Sequence, residues 1–263
     1  MTVTNSLKYS TMKTIIISIL LSVSINVYSQ FVSINPDEDL LRGSYGISFL
    51  NSEKGYLLSL DSAKWVLFYT NNKGVKWEIQ SNPYPVGPIK FLNDSTGVMG
   101  ALFVTTDYGK SFNKATNPPN ISSSPNNIYV RKGREIIASF GKEGTYKSYD
   151  LGDSWEKVFD GNLRQLKFIN DSVAFAFDYY NSHNYLYKSV NNGNDWTRLN
   201  ELPDYPYIVY ALNNDTFLGA FTPGGLKISS NGGVSWDSCN IRPNIIFDLK
   251  FINSNVGFLY SDD

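Results

Sequence analysis

The sequence is nearly devoid of thiol and imidazole. Its 263 residues hold one cysteine, Cys239, and one histidine, His183. A single thiol excludes a disulfide framework, and so small a set of His and Cys excludes zinc-finger and multi-histidine metal sites. Catalysis by a Cys–His or Ser–His pair is excluded as well, unless His183 itself is the base. Charge of one sign is lacking too: 23 Lys+Arg stand against 24 Asp+Glu, a net charge of −1. Affinity for phosphate backbones needs clustered Lys and Arg, so no nucleic-acid partner is expected. No Gly-x-x-x-x-Gly-Lys loop is present, and Gly43, Gly224-Gly225 and Gly232-Gly233 read as turns. No cofactor and no metal is expected. Charged residues make up 18%, below the usual quarter, while aromatics reach 15% with 18 Tyr and 16 Phe. Strand-forming aromatics with few charges point to an all-β globular chain.

Long apolar runs are confined to the N-terminus. Lys13 precedes the run from Ile15 to Val27, which is the length of a signal-peptide core and short of the ~20 residues of a membrane span. Val27-Tyr28-Ser29 offers small residues where a signal peptidase reads. Residues 1–29 are therefore expected to be a signal peptide with its true start at Met12, and residues 30–263 the mature domain. Export follows: secreted, periplasmic or on the surface of a bacterium, with no stable membrane insertion after cleavage. Cys239 reads as a small, buried hydrophobe.

One eight-residue pattern occurs five times: Ser/Thr, any, Asp/Asn, any, Gly, any, polar, Trp/Phe. The copies are Thr70–Trp77, Thr105–Phe112, Ser148–Trp155, Ser189–Trp196 and Ser229–Trp236. Their closing aromatics are 35, 43, 41 and 40 residues apart. The chemistry is that of a tight turn. The third residue (Asn72, Asp107, Asp150, Asn191, Asn231) can accept backbone N–H bonds. The fifth (Gly74, Gly109, Gly152, Gly193, Gly233) can supply positive φ. The Ser/Thr hydroxyl can cap the loop. The last (Trp77, Phe112, Trp155, Trp196, Trp236) buries a ring that fastens the loop to its sheet. Nothing in the pattern requires a substrate.

A second element recurs upstream of the turns: Ile47–Asn51, Ile89–Asn93, Leu166–Asn170 and Leu249–Asn253, with weaker versions at Tyr129-Val130 and Val209–Leu212. Each unit parses as four short strands, as in Pro88–Asn93, Thr96–Phe103, Val104–Thr106 and Lys110–Ala115. Four strands at a period near 40 is the arithmetic of a β-propeller blade. Five blades are expected, over 46–87, 88–126, 127–164, 165–206 and 207–245. A partial sixth begins at Ile246, so the frame reads as incomplete at its C-terminus or as irregularly closed. Phe31–Asn35 could supply an outer strand to it.

The eight-residue pattern resembles the Asp box, or bacterial neuraminidase repeat, with Asn at three third positions and Phe112 for Trp as departures that weaken single turns. That motif occurs in sialidases, xyloglucanase-type glycoside hydrolases, sortilin-type receptors and photosystem II assembly-factor propellers. The stretch Leu41–Gly43, Ile47–Phe49, Gly55-Tyr56 and Thr70–Trp77 is most similar to the assembly-factor type. The resemblance implies a β-propeller. It leaves the function open, because these families share the turn and differ in chemistry.

A sialidase-like site needs three clamping arginines, and the chain has six: Arg42, Arg131, Arg134, Arg164, Arg198 and Arg242. The Arg-Ile-Pro signature that opens sialidase propellers is absent. A glycosidase needs two carboxyl groups facing a sugar. Asp178 and Asp248 are the candidates, with a solvated rim position as the plainer reading of each. No catalytic residue is assigned. Binding is the stronger class. Lys90, Lys167 and Lys250 recur at one repeat position of the innermost strand, with Arg164 nearby, a weakly cationic set suited to an acidic peptide or anionic glycan. Tyr179 and Tyr180 fall in a longer inter-strand loop of the fourth blade, with His183 as a surface residue of the same loop, and Tyr205-Pro206-Tyr207 marks another such loop. The expectation is a non-catalytic exported propeller that binds a protein or a glycan. The alternative is a glycoside hydrolase whose active face is incomplete in this chain.

Overall fold

The computed structural model describes residues 14–18, 46–61, 64–81, 89–100, 102–131, 133–180, 183–222, 225–239, 246–253 and 256–261. Strand β1 is Thr14–Ser18. The first blade is β2 (Gly46–Phe49), β3 (Gly55–Asp61), β4 (Lys64–Thr70) and β5 (Glu78–Ser81). The second is β6 (Ile89–Phe91), β7 (Gly97–Met99), β8 (Phe103–Thr105) and β9 (Asn113–Lys114). The third is β10 (Asn127–Val130), β11 (Ile136–Ser139), β12 (Thr145–Ser148) and β13 (Glu156–Phe159), with a 3₁₀ turn at Gly141–Glu143. The fourth is β14 (Arg164–Phe168), β15 (Ala174–Tyr180), β16 (His183–Ser189) and β17 (Thr197–Glu201). The fifth is β18 (Tyr205–Ala211), β19 (Phe217–Thr222), β20 (Gly225–Ser229) and β21 (Asp237–Ser238). Two further strands, β22 (Ile246–Asn253) and β23 (Val256–Ser261), complete the described chain.

Each of the five blades is a four-stranded antiparallel meander in chain order. The five sheets match the expected blades one for one. Two boundaries move: Arg164 opens the fourth blade and Tyr205 the fifth. The expected strand Thr96–Phe103 is interrupted, because Gly100 and Leu102 both have positive φ and the Leu102 amide bonds the Gly100 carbonyl at 2.9 Å. Strands β22 and β23 form a sheet with β1, Thr14 opposite Tyr260 and Ser18 opposite Val256. The segment Phe31–Asn35 lies outside the described residues.

The strands within a blade differ in burial. The second strands are covered on both faces: Gly97–Met99 and Ile136–Ser139 are buried throughout. Strands buried on two sides need near-continuous apolar runs rather than alternation. The fourth strands carry polar, exposed residues (Asn113-Lys114, Asp237-Ser238), which keeps a free edge short and charged or hydrated.

Two compact units make up the chain. Residues 28–162 hold the first three blades. Their cores are the cluster of Tyr56, Leu58, Leu67, Ile89, Phe91 and Met99, and the cluster of Val98, Leu102, Ile136, Ala138, Phe140 and Leu151. Residues 163–263, with residues 1–27, hold the rest, around Phe175, Phe177, Leu186, Val209, Phe217 and Phe221. Cys239 packs half-buried against Ile208, Leu218, Ala220 and Leu226, and burial raises its thiol pKa.

Candidate functional site

The five repeated turns share one hydrogen-bond pattern. The first-position hydroxyl accepts from the amide of the fifth-position glycine at 2.7–3.1 Å, as in Thr105 Oγ1 with Gly109 N at 3.0 Å. It also donates to the third side chain, at 2.8–3.0 Å. The third side chain then accepts from the seventh amide at 2.9–3.0 Å. Asn72, Asn191 and Asn231 make this last bond at the same distance as Asp107 and Asp150. Both aspartates are held at a pKa of about 2 by bonds from the amide and hydroxyl of the seventh residue, Ser111 and Ser154. One feature escaped the sequence pattern: the fourth residue also has positive φ in every copy, at Lys73, Tyr108, Leu151, Asn192 and Gly232.

Lys90 sits exposed on β6 between buried Ile89 and Phe91, opposite Val98. In backbone register, Lys167 is paired with Phe175 and Lys250 with Phe258 in the equivalent slots. Lys167 is engaged within its own unit. Its ammonium donates to Tyr210 Oη at 2.9 Å and lies 4.6 Å above that ring. Arg164 Nη1 donates to Tyr205 Oη at 3.4 Å. The side chains of Lys250, Asp248, Tyr179 and Tyr180 lie outside the described set.

Three loop expectations are corrected. Tyr179 and Tyr180 belong to β15, paired with Asn184 and His183 across a tight hairpin, because the aromatic run continues the strand rather than leaving it. His183 opens β16, shares a hydrogen bond between its Nδ1 and Glu201 Oε1, and stacks on Tyr185 at 6.1 Å. Tyr205 opens β18, and Tyr207 lies inside it. Asp178 is also corrected: at 4% exposure it is buried in the blade, opposite Tyr185 on a strand that is buried at every position from Ala174 to Asp178. Among the described residues, no group of three or more His, Cys, Asp or Glu is placed to hold a metal ion.

A cleft that the sequence did not announce lies between the first two blades, inside the unit of residues 28–162. It encloses about 330 Å³ and is lined by Lys54, Tyr56, Tyr69 and Gln80 from the first blade. Asp94, Tyr108 and Lys110 complete it from the second. Tyr56 forms the floor. It is 1% exposed, stacks on Phe91 with ring centroids 3.5 Å apart, and tilts against Tyr69 at 5.2 Å. Its hydroxyl donates to the Asp94 carbonyl at 2.8 Å, and burial keeps it protonated far above the ordinary range. Lys54 donates to Asp94 Oδ2, and that hydrogen bond raises the lysine pKa. The wall is tied across the blades: Gln80 Nε2 donates to the Tyr108 carbonyl at 2.8 Å and Ser81 Oγ to the Gly109 carbonyl at 2.6 Å. The Tyr108 ring stands at the mouth, 52% exposed, with exposed Lys110 beside it in the sequence of the same turn. Tyr and Gln in one concavity can stack on apolar faces and exchange hydrogen bonds with a polar ligand.

No family model matches the chain, and no curated protein matches it. Solved structures do. YCF48 from Cyanidioschyzon merolae is 13% identical, covering 84% of this chain and 93% of that one, with a TM-score of 0.51. The GH74 xyloglucanase from Xanthomonas campestris is 16% identical, covering 86% of this chain and 44% of that one, with a TM-score of 0.55. The GH74 enzyme from Niastella koreensis is 17% identical, covering 74% and 38%, with a TM-score of 0.54. This chain thus spans less than half the length of those enzymes. At these identities the likeness shows the fold: the chain is an all-β propeller of four-stranded blades.

Proposed function

We propose that this chain is a non-catalytic binding propeller that takes a protein or glycan partner, with the cleft between the first two blades as a contact site. The observation that carries this reading is the cleft's lining. Three tyrosines and a glutamine surround an ion pair in which Lys54 neutralises the Asp94 carboxylate. Hydrolysis of a glycoside asks for two carboxyl groups across the bond. The lining supplies one, and it is occupied as a hydrogen-bond acceptor. Two of the repeated turns have a carboxylate at the third position, Asp107 and Asp150, and each uses it to hold a backbone amide.

Screening the chain against immobilised glycans and peptides tests this reading. A ligand retained by the wild type and lost by Tyr108→Ala supports it; capture that is indifferent to Tyr108→Ala and Lys110→Gln removes the cleft from it. Chromogenic sialosides and glucan oligosaccharides test the enzyme alternative. No chromophore release is expected, and turnover abolished by Asp178→Asn or Asp248→Asn would sink the binding-only reading.

Export belongs to the same proposal. Lys13, the apolar run to Val27 and the small residues before Gln30 support a cleaved leader. Cleavage after Ser29 removes β1 from its place beside β23. The intact mass of the protein from its native source tests this, since a species beginning at Gln30 is expected.

A further inference from the structure

The cleft carries more than a generic contact. We infer that it takes an acidic saccharide, a uronate-bearing sugar whose ring lies on Tyr108 and whose carboxylate meets Lys110; this rests on the binding reading above.

The fold does not demand Tyr108. The fourth position of every repeated turn is left-handed, and its other occupants are Lys73, Leu151, Asn192 and Gly232. Among the five, this turn alone sets an aromatic there, and it points a half-exposed ring at the mouth of a cleft instead of into the core. A left-handed backbone is unfavourable for a bulky side chain, so packing alone gains little from the choice. What the ring offers is a flat apolar face with a hydroxyl at its edge.

The backbone around the cleft is already spent. The Tyr108 amide donates to the Ser95 carbonyl at 3.0 Å. The carbonyls of Asp94, Tyr108 and Gly109 accept from Tyr56, Gln80 and Ser81. An extended peptide gains affinity mainly through main-chain pairing, and that pairing is taken here. The groups left are at side-chain tips: the hydroxyls of Tyr69 and Tyr108 and the Lys110 ammonium make no hydrogen bond among the described residues. Such tips suit a ligand that presents hydroxyls around a ring. At about 330 Å³ the space sits near the lower end of small-ligand sites, which run from about 300 to 1,000 Å³.

Charge selects the acidic class. Lys54 and Asp94 cancel each other, which leaves Lys110 as the unmatched charge of the lining. One unmatched cation at the mouth favours a monoanionic residue over a neutral one.

Isothermal titration of the full chain decides it, with trigalacturonate, trimannuronate and a hyaluronan tetrasaccharide as acidic probes. Cellotriose serves as the neutral probe and a glutamate-rich hexapeptide as the acidic peptide. At least one acidic sugar is expected to bind, more weakly in higher salt. Tyr108→Ala and Lys110→Gln should each lose about tenfold or more in affinity, the scale of a charge-assisted bond. Unchanged melting temperatures would show that both variants remain folded. Lys110→Gln should also erase the preference over cellotriose. Equal binding of cellotriose by the wild type overturns the charge argument. Uronate binding untouched by either variant moves the site elsewhere and overturns it too. Hexapeptide binding with no uronate binding overturns the saccharide and leaves the binding propeller standing. Silence of all three acidic sugars overturns this inference, while a retained hit in the array screen would show that the broader reading survives.

Discussion

The second and third repeated turns are nearly superimposable in chemistry and opposite in consequence. Both are closed by an aspartate at a pKa of about 2, and both have left-handed residues at positions four and five. In the third turn the fourth residue is Leu151, 5% exposed, sunk among Val98, Leu102, Ile136 and Phe140. Thr116 Oγ1 reaches across to the Gly152 carbonyl at 2.6 Å, and Trp155 Nε1 donates back to the Thr116 carbonyl at 2.8 Å. That junction between blades is plugged. In the second turn the matching residue is Tyr108, turned outward, and Gln80 and Ser81 make the cross-blade bonds beneath it. That junction is left open as a cleft. The turn is a fixed scaffold, and one side chain upon it decides whether the seam between two blades is core or surface.

The largest test of this contrast is truncation of the plug. Leu151→Ala should cost about 2–5 kcal/mol, because it removes a buried side chain from a packed cluster. A chemical-denaturation midpoint scarcely different from that of Tyr108→Ala would show that the plug is not load-carrying. Next comes Gly109→Ala. An added Cβ would stand 2.7 Å from Leu67 Cδ2 at a φ of +77°, so about 1–3 kcal/mol should be lost. If calorimetry shows no loss, the close approach of the second turn to the first blade is not rigid.

The acid limb separates these two turns from the asparagine turns. Asp107 and Asp150 sit at about 2 in the folded chain against an ordinary 3.8. Their contribution is complete above the unfolded value, near pH 4, and is lost as pH falls through about 2. Asn72, Asn191 and Asn231 take up no proton there. Asp107→Asn and Asp150→Asn should therefore flatten the decline in stability between pH 4 and pH 2, measured by denaturant unfolding at each pH. A decline as steep as that of the wild type would mean that the acid sensitivity arises elsewhere. The smallest effect is expected for Tyr108→Ala, within about 0.5 kcal/mol of wild type, as for an exposed side chain away from caps and core. A larger loss would make Tyr108 structural, and the case for an outward-facing contact residue would weaken.

The fold was legible because repetition amplifies a local signal. Ser/Thr, Asp/Asn and Gly at fixed offsets specify one turn by short-range hydrogen bonds, and five copies at a near-constant period specify blades. The strand expectation failed where tertiary packing overrode alternation, as at Gly100–Leu102, where the buried Leu102 takes a left-handed conformation. Tyr179, Tyr180 and His183 look like a loop in the sequence, whereas the structure sets them at the facing ends of the paired strands Ala174–Tyr180 and His183–Ser189. Ala174–Asp178 is buried at every position, polar Asp178 included, and that burial comes only with the pairing of the strand inside its blade.

The candidate site was the least legible part. The repeated lysines stood out in the sequence, yet the structure ties Lys167 to Tyr210, a partner 43 residues away. The cleft draws its lining from Lys54 to Lys110; only Tyr108 and Lys110 belong to a repeated turn, and they meet the rest only when two blades lie side by side. The sequence by itself determined the turns, the strand order within each blade and the all-β class, since those rest on bonds between residues a few positions apart. Tertiary structure alone decided that Leu151 is a plug while Tyr108 is a rim. The direction of a side chain on an identical turn depends on the neighbouring blade it meets, and no local pattern encodes that neighbour.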